Sequence, residues 1–245
     1  NQSVIAKITF VFVALITFFQ NNAMAIENLG VPEDYQMTYQ SAATPNMADI
    51  TWFHDLFLFP IILGITLFVT ALLIYVMVKF NAKANPKPSR TSHNSLIEVL
   101  WTVIPVIILI AIAVPSFRIL YTQQEIPVDA DLTIKATAYQ WYWGYEYPDN
   151  NGMYFDSLPL EGDELTEGKL RLLSVDNPLV VPAGAVVRVQ VTSADVIHNW
   201  AVPSFGVKMD AIPGRLNETW FKVDEPGIYY GMCSELCGVR HAYMP

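Results

Sequence analysis

The sequence predicts a two-helix transmembrane hairpin followed by an all-β domain, and three observations carry that prediction. Hydrophobic residues make up 53% of the 245 and charged residues only 15%, where a soluble globular domain carries about a quarter charged. Two long stretches hold no charge at all, Leu56–Val78 and Val99–Phe117. From Ile119 onward the pattern changes to short runs that alternate with period two and are separated by Gly- and Pro-containing turns. The first two place part of the chain in lipid, and the third places the remainder in water.

Residues 1–25 read as a signal peptide. Lys7 is the one charge among them, an apolar run from Ile8 to Phe19 follows it, and Ala23-Met-Ala25 fits a small-x-small cleavage site. A third membrane helix is the competing reading, although the run is short for a span. No initiator Met is present, so the start reads as incomplete. Residues 26–55 carry five acids and no Lys or Arg, and this segment is expected outside the cytoplasm.

The spans are expected at 56–78 and 99–118. A hydrocarbon core of ~30 Å needs about 20 residues at 1.5 Å each, and both runs reach that length. Pro60, Pro105 and Pro115 fall within them, and packed membrane helices tolerate proline. The connecting loop, 79–98, carries Lys79, Lys83, Lys87 and Arg90 with no acid before Glu98. Positive charge stays on the cytoplasmic side, so both flanking segments face out.

Residues 119–245 form the predicted β domain. Asp131–Tyr139, Lys169–Val175 and Ala185–Thr192 each alternate, which at this strand spacing suggests a sandwich or barrel. Seventeen acids oppose eight bases here, which accounts for the whole net charge of −9. Such a domain cannot neutralise phosphates, so nucleic-acid binding is excluded. Two cysteines are too few for a disulfide-dense scaffold.

The chemistry concentrates in Gly231-Met-Cys-Ser-Glu-Leu-Cys-Gly-Val-Arg-His-Ala-Tyr-Met244, which holds both cysteines, Cys233 and Cys237. A structural disulfide is the plain reading in an oxidising compartment. Against it stand His241 four residues on, Met244 three further, and His198 at the start of an apolar alternating run. Two thiolates, two imidazoles and a thioether favour copper, whereas two Cys and two His alone would equally suit zinc. A doubled cysteine can bridge two metal ions, leaving one imidazole for each.

His198 with Cys233-Ser-Glu235-Leu-Cys237-x-x-x-His241-x-x-Met244 resembles the CuA motif of the subunit 2 family of haem–copper cytochrome c oxidases. The resemblance extends to the signal, the hairpin, Gln140-Trp-Tyr-Trp-Gly-Tyr-Glu-Tyr147 and Asp210-Ala-Ile-Pro-Gly-Arg215. It implies a cupredoxin-like Greek-key barrel holding two copper ions. Cys233 and Cys237 would bridge them, with His198 and His241 terminal, Met244 a weak ligand and Glu235 binding through its carbonyl. The Glu235 carboxylate would reach a magnesium ion at the boundary with subunit 1. Trp141 would be the exposed residue through which electrons arrive from cytochrome c.

Further roles follow from the same resemblance, each beside a plainer reading. Glu146, Asp149, Asp176 and Asp195 are ordinary solvated charges, or they steer a basic cytochrome c in a salt-dependent way. Glu98 is a cap or snorkelling acid, or the entrance of a proton path into subunit 1. Lys208, Asp210 and Arg215 form a surface turn, or they approach subunit 1 near haem propionates. The implied setting is membrane lipid with subunits 1 and 3 as partners. A bacterial inner membrane with a periplasmic β domain is expected, with the mitochondrial inner membrane as alternative. Related quinol-oxidase subunits lack the cysteines, a soluble nitrous-oxide reductase lacks the spans, and a copper chaperone needs a more open site. The family continues past Met244 with further strand, so the chain reads as a fragment, with a fused haem c domain left open.

Overall fold

The computed structural model describes residues 30–87 and 89–245; the signal peptide expected over 1–25 lies outside them. Two helices come first. Helix α1 spans Pro45–Lys79 and α2 spans Ser95–Gln124; both are long and apolar enough to cross a membrane, and their apolar windows are unburied by protein. At 1.5 Å per residue, the 35 residues of α1 extend about 52 Å, well beyond a ~30 Å hydrocarbon core. The surplus lies at its start. Thr44 caps that end by accepting from the Met47 N–H at 3.1 Å, with Pro45 at the first helical position. A π-helical turn at Phe53–Leu58 separates this extension from the apolar Phe59–Lys79 stretch. Asn94 caps α2 by accepting from the Leu96 and Ile97 N–H groups.

Seven strands follow: β1 Leu132–Tyr139, β2 Tyr142–Tyr147, β3 Met153–Ser157, β4 Val186–Ser193, β5 His198–Val202, β6 Val207–Ala211 and β7 Asn217–Lys222. Five make one mixed sheet in the order β3-β2-β1-β4-β7, and β5 pairs with β6 in a second. The parallel β1–β4 pair aligns Ile134 with Val189 and Ala136 with Val191. Parallel neighbours need a crossover, which the chain supplies through β2, β3 and the long excursion after Ser157. Ile134, Ala136, Ala138, Val187, Val189 and Val191 point inward from these two strands. There they meet Trp200 and Val202 of β5 and Val207 and Ala211 of β6, so the two sheets enclose one core. This is the all-β half of the predicted fold class, a cupredoxin-like Greek-key arrangement behind two membrane-type helices.

One predicted strand is absent. Lys169–Val175 alternates in sequence, yet only Val175 makes a bridge, to Pro159. Local bonds capture the backbone instead: the Ser174 hydroxyl accepts from the Leu170 N–H at 2.8 Å, and the Leu173 and Ser174 N–H groups both donate to the Leu170 carbonyl. Leu172 sits at φ 68°, outside any strand conformation. Serine competing for backbone groups in this way favours a turn over a ladder.

The helices are fastened to the β domain. The Thr44 hydroxyl donates to the Phe205 carbonyl at 2.7 Å, the Ala43 N–H donates to the Ser204 carbonyl at 2.8 Å, and the Gln123 amide donates to the Gly206 carbonyl. Gly206 has φ +69°, and a Cβ there would meet the Ile50 side chain at 2.8 Å and the Met47 Cα at 3.1 Å. Glycine is therefore what lets α1 lie against the β5–β6 connection.

Candidate metal centre

Three elements bring the predicted donors together. β5 begins on His198, which is fully buried. Cys233 and Cys237 follow on an irregular loop, both buried and both free thiols. A single 3-10 turn, His241–Tyr243, then carries His241 back towards Cys237. The loop is tied down by backbone bonds: Met232 N–H to the Ala201 carbonyl, Ser234 N–H to the Asn199 carbonyl, and Cys233 N–H to the Met244 carbonyl at 2.9 Å. Outside, Arg240 pairs with Glu161, and the Arg171 and Arg240 guanidinium groups flank the Tyr243 ring.

The two sulfurs lie 3.7 Å apart. The His198 Nδ1 faces Cys233 Sγ at 3.9 Å, and the His241 Nδ1 faces Cys237 Sγ at 3.5 Å. Each thiol thus has its own imidazole. Donor atoms of His198, Cys233 and Cys237 all fall within 4.8 Å of one another, while His241 joins through Cys237. The Glu235 carbonyl oxygen lies 3.3 Å from Cys233 Sγ, with the rest of the residue exposed. Met244 is completely buried behind the loop.

His198 Nε2 is 2.8 Å from the Asp195 carboxylate. With that N–H donated to Asp195, Nδ1 is turned towards Cys233, where it can donate to a thiolate in the metal-free protein or offer its lone pair to a bound metal, the arrangement in which a ligating histidine is oriented by a carboxylate. Burial pushes the Asp195 carboxyl up, but the His198 N–H and the Val196 and Gln140 backbone N–H groups outweigh it and hold it below its ordinary value. Burial also pushes both thiols up. At Cys233 the His198 contact leads a set of interactions that overcome burial and bring it down to about 6. At Cys237 the neighbouring Cys233 sulfur adds to burial and pushes it up to about 12. Each sulfur makes ionisation of the other costlier, so bound positive charge favours both as thiolates. Soft sulfur donors, two available imidazole nitrogens and this charge demand fit a thiophilic metal.

The structure places the other predicted residues as follows. Trp141 is half-buried, and its indole N–H donates to the Cys237 carbonyl at 3.2 Å. Trp143 is buried, with its ring 6.3 Å edge-on from His198. Glu146 pairs with Lys135 at 3.5 Å; Asp149 accepts from the Thr133 N–H; Asp176 accepts from the Leu158 and Asn177 N–H groups. Asp195 stands apart from those three because it bonds a candidate ligand directly. Lys208, Asp210 and Arg215 line one open groove with Asn199 and Gln124, and Asp210 accepts from the Asn199 amide at 2.7 Å. Glu98 lies on the first turn of α2, where its carboxylate accepts from the Asn94 N–H at 3.2 Å, a capping contact.

Sequence reasoning treated Asp195 as a surface charge and passed over Gln140. The Asp195-x-x-His198 spacing was a usable signal, since a carboxylate near a ligating histidine is a common orienting partner. Nothing in sequence ties Gln140 to Cys237, 97 positions away.

The fold and the donor set define a membrane-type protein with a β domain carrying a buried thiol–imidazole metal site. Residues 132–245 match the cytochrome c oxidase subunit II periplasmic domain, and residues 32–119 match its transmembrane domain. A probable cytochrome c oxidase subunit 2 of Rickettsia bellii is 55% identical over 214 residues, covering 87% of this chain and 79% of that protein. Its counterpart in Rickettsia felis is 51% identical over 242 residues, covering 98% and 75%. Cytochrome c oxidase subunit 2 of Cereibacter sphaeroides is 45% identical over 240 residues, covering 90% and 78%. The chain belongs to the cytochrome c oxidase subunit II family, a component of an oxidoreductase complex.

Proposed function

We propose that this chain is the electron-accepting subunit of a cytochrome c oxidase. It takes single electrons from cytochrome c at a dinuclear CuA centre and passes them to haem in subunit 1, where oxygen is reduced to water with proton translocation. One observation carries the reading: two unbridged buried thiols 3.7 Å apart, each faced by its own imidazole Nδ1. Cys233 and Cys237 would bridge two coppers, His198 and His241 would terminate them, and Met244 and the Glu235 carbonyl would complete the set. Copper held by these residues would supply one-electron redox chemistry.

The chain's own residues do the rest. Asp195 holds His198 with Nδ1 inward. The core behind β5 excludes water from His198. Trp141, partly exposed and hydrogen-bonded to the ligand loop, offers an aromatic edge where a donor docks. Asp195 and Asp176 lie towards the Trp141 end of the sheet and Glu146 and Asp149 towards its other end; in this reading their negative charge attracts a basic donor, with Asp195 and Asp176 nearest the point of docking. Lys208, Asp210 and Arg215 face subunit 1 in this reading, with the Glu235 carboxylate on a magnesium ion at the same boundary. Glu98 lies at the opposite end of α2, where a proton path into subunit 1 would begin. The arginine–lysine loop stays in the cytoplasm and the β domain in the periplasm of a bacterial inner membrane, with subunit 3 completing the assembly.

The test loads the full chain, in detergent, with copper and records absorption and electron paramagnetic resonance. The expected result is a purple protein whose unpaired electron couples to two equivalent copper nuclei. Coupling to a single nucleus means a mononuclear site and ends the dinuclear reading. Reduction of the copper-loaded chain by cytochrome c should slow as ionic strength rises; a flat salt profile removes the steering role from the acidic residues.

A further inference from the structure

The turn between β1 and β2 reaches both halves of the donor set. Gln140 sits at its first position. Its backbone N–H donates to Asp195 at 2.7 Å, the carboxylate that holds His198. Its side-chain amide donates to the Cys237 carbonyl at 2.8 Å. The neighbouring Trp141 indole donates to the same carbonyl at 3.2 Å. A ligand strand and a ligand loop that are distant in sequence are thereby pinned to one residue.

The opposite wall is shaped for this contact. Gly238 follows Cys237 directly, at φ +117°, and a Cβ there would lie 3.0 Å from the Gln140 amide nitrogen and 3.1 Å from the Trp141 ring. The close approach of the turn to the loop depends on that missing carbon. Backbone bonds from the Met232 and Ser234 N–H groups to the Ala201 and Asn199 carbonyls hold the start of the loop to β5, and the Gln140 amide holds its later part, at Cys237.

We infer that Gln140 is a positioning residue for the metal centre: it clasps the Asp195–His198 segment to Cys237 and sets the spacing between the two donor pairs. The inference rests on the copper reading above. Gln140 touches no donor atom; it acts through Asp195 on one side and the Cys237 backbone on the other. Because the residue is exposed, water competes for its amide and the effect of losing it is moderate. Outer partners of metal ligands change affinity by roughly 10–100-fold when lost, and a solvent-exposed clasp belongs at or below the lower end.

The test uses Gln140→Met, which keeps the side-chain length and removes the donor, and Gln140→Ala, in the copper-loaded full chain. Release of copper to a chelator should accelerate about 3–10-fold, and the two copper hyperfine couplings should become unequal. Near-ultraviolet circular dichroism should stay that of the parent. In Asp195→Ala, where the Gln140 backbone N–H has lost its acceptor, Gln140→Met should have a smaller effect than in the parent. Parental release rates and equal couplings in both Gln140 variants overturn the inference while leaving the copper reading intact. A parent chain with no two-copper coupling overturns the reading itself. Should Gln140→Met fail to fold, Gln140→Ala decides alone.

Discussion

The five-stranded sheet and the ligand loop are built on opposite terms. Strand β1 is paired on both edges, to β2 and β4, and Ile134, Ala136 and Ala138 are wholly buried beneath it. The loop after Gly231 contains both cysteines and no strand, and borrows its order from Asn199, Ala201, Gln140 and Trp141 across short gaps. A sheet is held by many interchangeable ladder bonds and apolar contacts. The loop is held by a few specific ones, several of which converge on donor residues. Sheet stability and metal binding should therefore separate under mutation, with damage to one leaving the other measurable.

The largest effect should come from Cys237→Ser. In the two-copper reading it removes one of the two thiolate donors, so the two-copper signature should vanish and copper retention fall by more than about 100-fold. Copper-free protein should melt within a few degrees of the parent, because serine nearly matches the volume and no ladder bond is lost. A large fall in the melting point of the copper-free form would break the comparison, since it would make the loop a pillar of the fold.

Ile134→Ala is the converse. Ile134 is fully buried between the sheets, and truncating such a side chain costs about 2–5 kcal/mol through lost burial and the cavity left behind. Chemical denaturation should read that loss, while the hyperfine pattern of folded, copper-loaded protein stays unchanged. Gly238→Ala falls between the two regions. A Cβ at φ +117° is strained and meets Gln140 and Trp141, so about 1–3 kcal/mol is expected, with unequal copper couplings. A change in stability without a spectral change would separate the turn from the metal site.

These contrasts also explain what could be read from sequence. Asp131–Tyr139 and Ala185–Thr192 announced β1 and β4 because one face is buried and alternation is the imprint of that burial. Lys169–Val175 alternates too, but Ser174 and the left-handed Leu172 divert its backbone into turns. The apolar run marked the lipid-crossing part of α1, while the earlier start was written only in Thr44-Pro45, a cap signal. The donor residues were legible as a set because their chemistry is rare. Their outer partners were not, since Asp195 and Gln140 are ordinary polar residues until folding brings Cys237 beside them.

Glu218→Gln gives the smallest effect and tests the sheet's solvent face. Glu218 on β7 accepts from Arg188 at 2.7 Å and from Gln190 at 2.9 Å, both on β4. Those two bonds outweigh partial burial and hold its carboxyl below the ordinary value, with Arg188 the leading cause. A depressed folded value means the charged form is favoured by folding. Its contribution is present above the ordinary glutamate range and is lost as pH falls through the depressed value. The pair is partly solvated, so about 0.5 kcal/mol is expected at neutral pH. Denaturation of parent and Glu218→Gln should thus differ slightly at pH 7 and converge in acid. A gap that widens on acidification would reverse the sign and show that the carboxylate is strained rather than stabilised by its neighbours. Copper spectra should be the same in both proteins at every pH where both are folded, because β7 carries none of the candidate donors and Glu218 bonds only to β4.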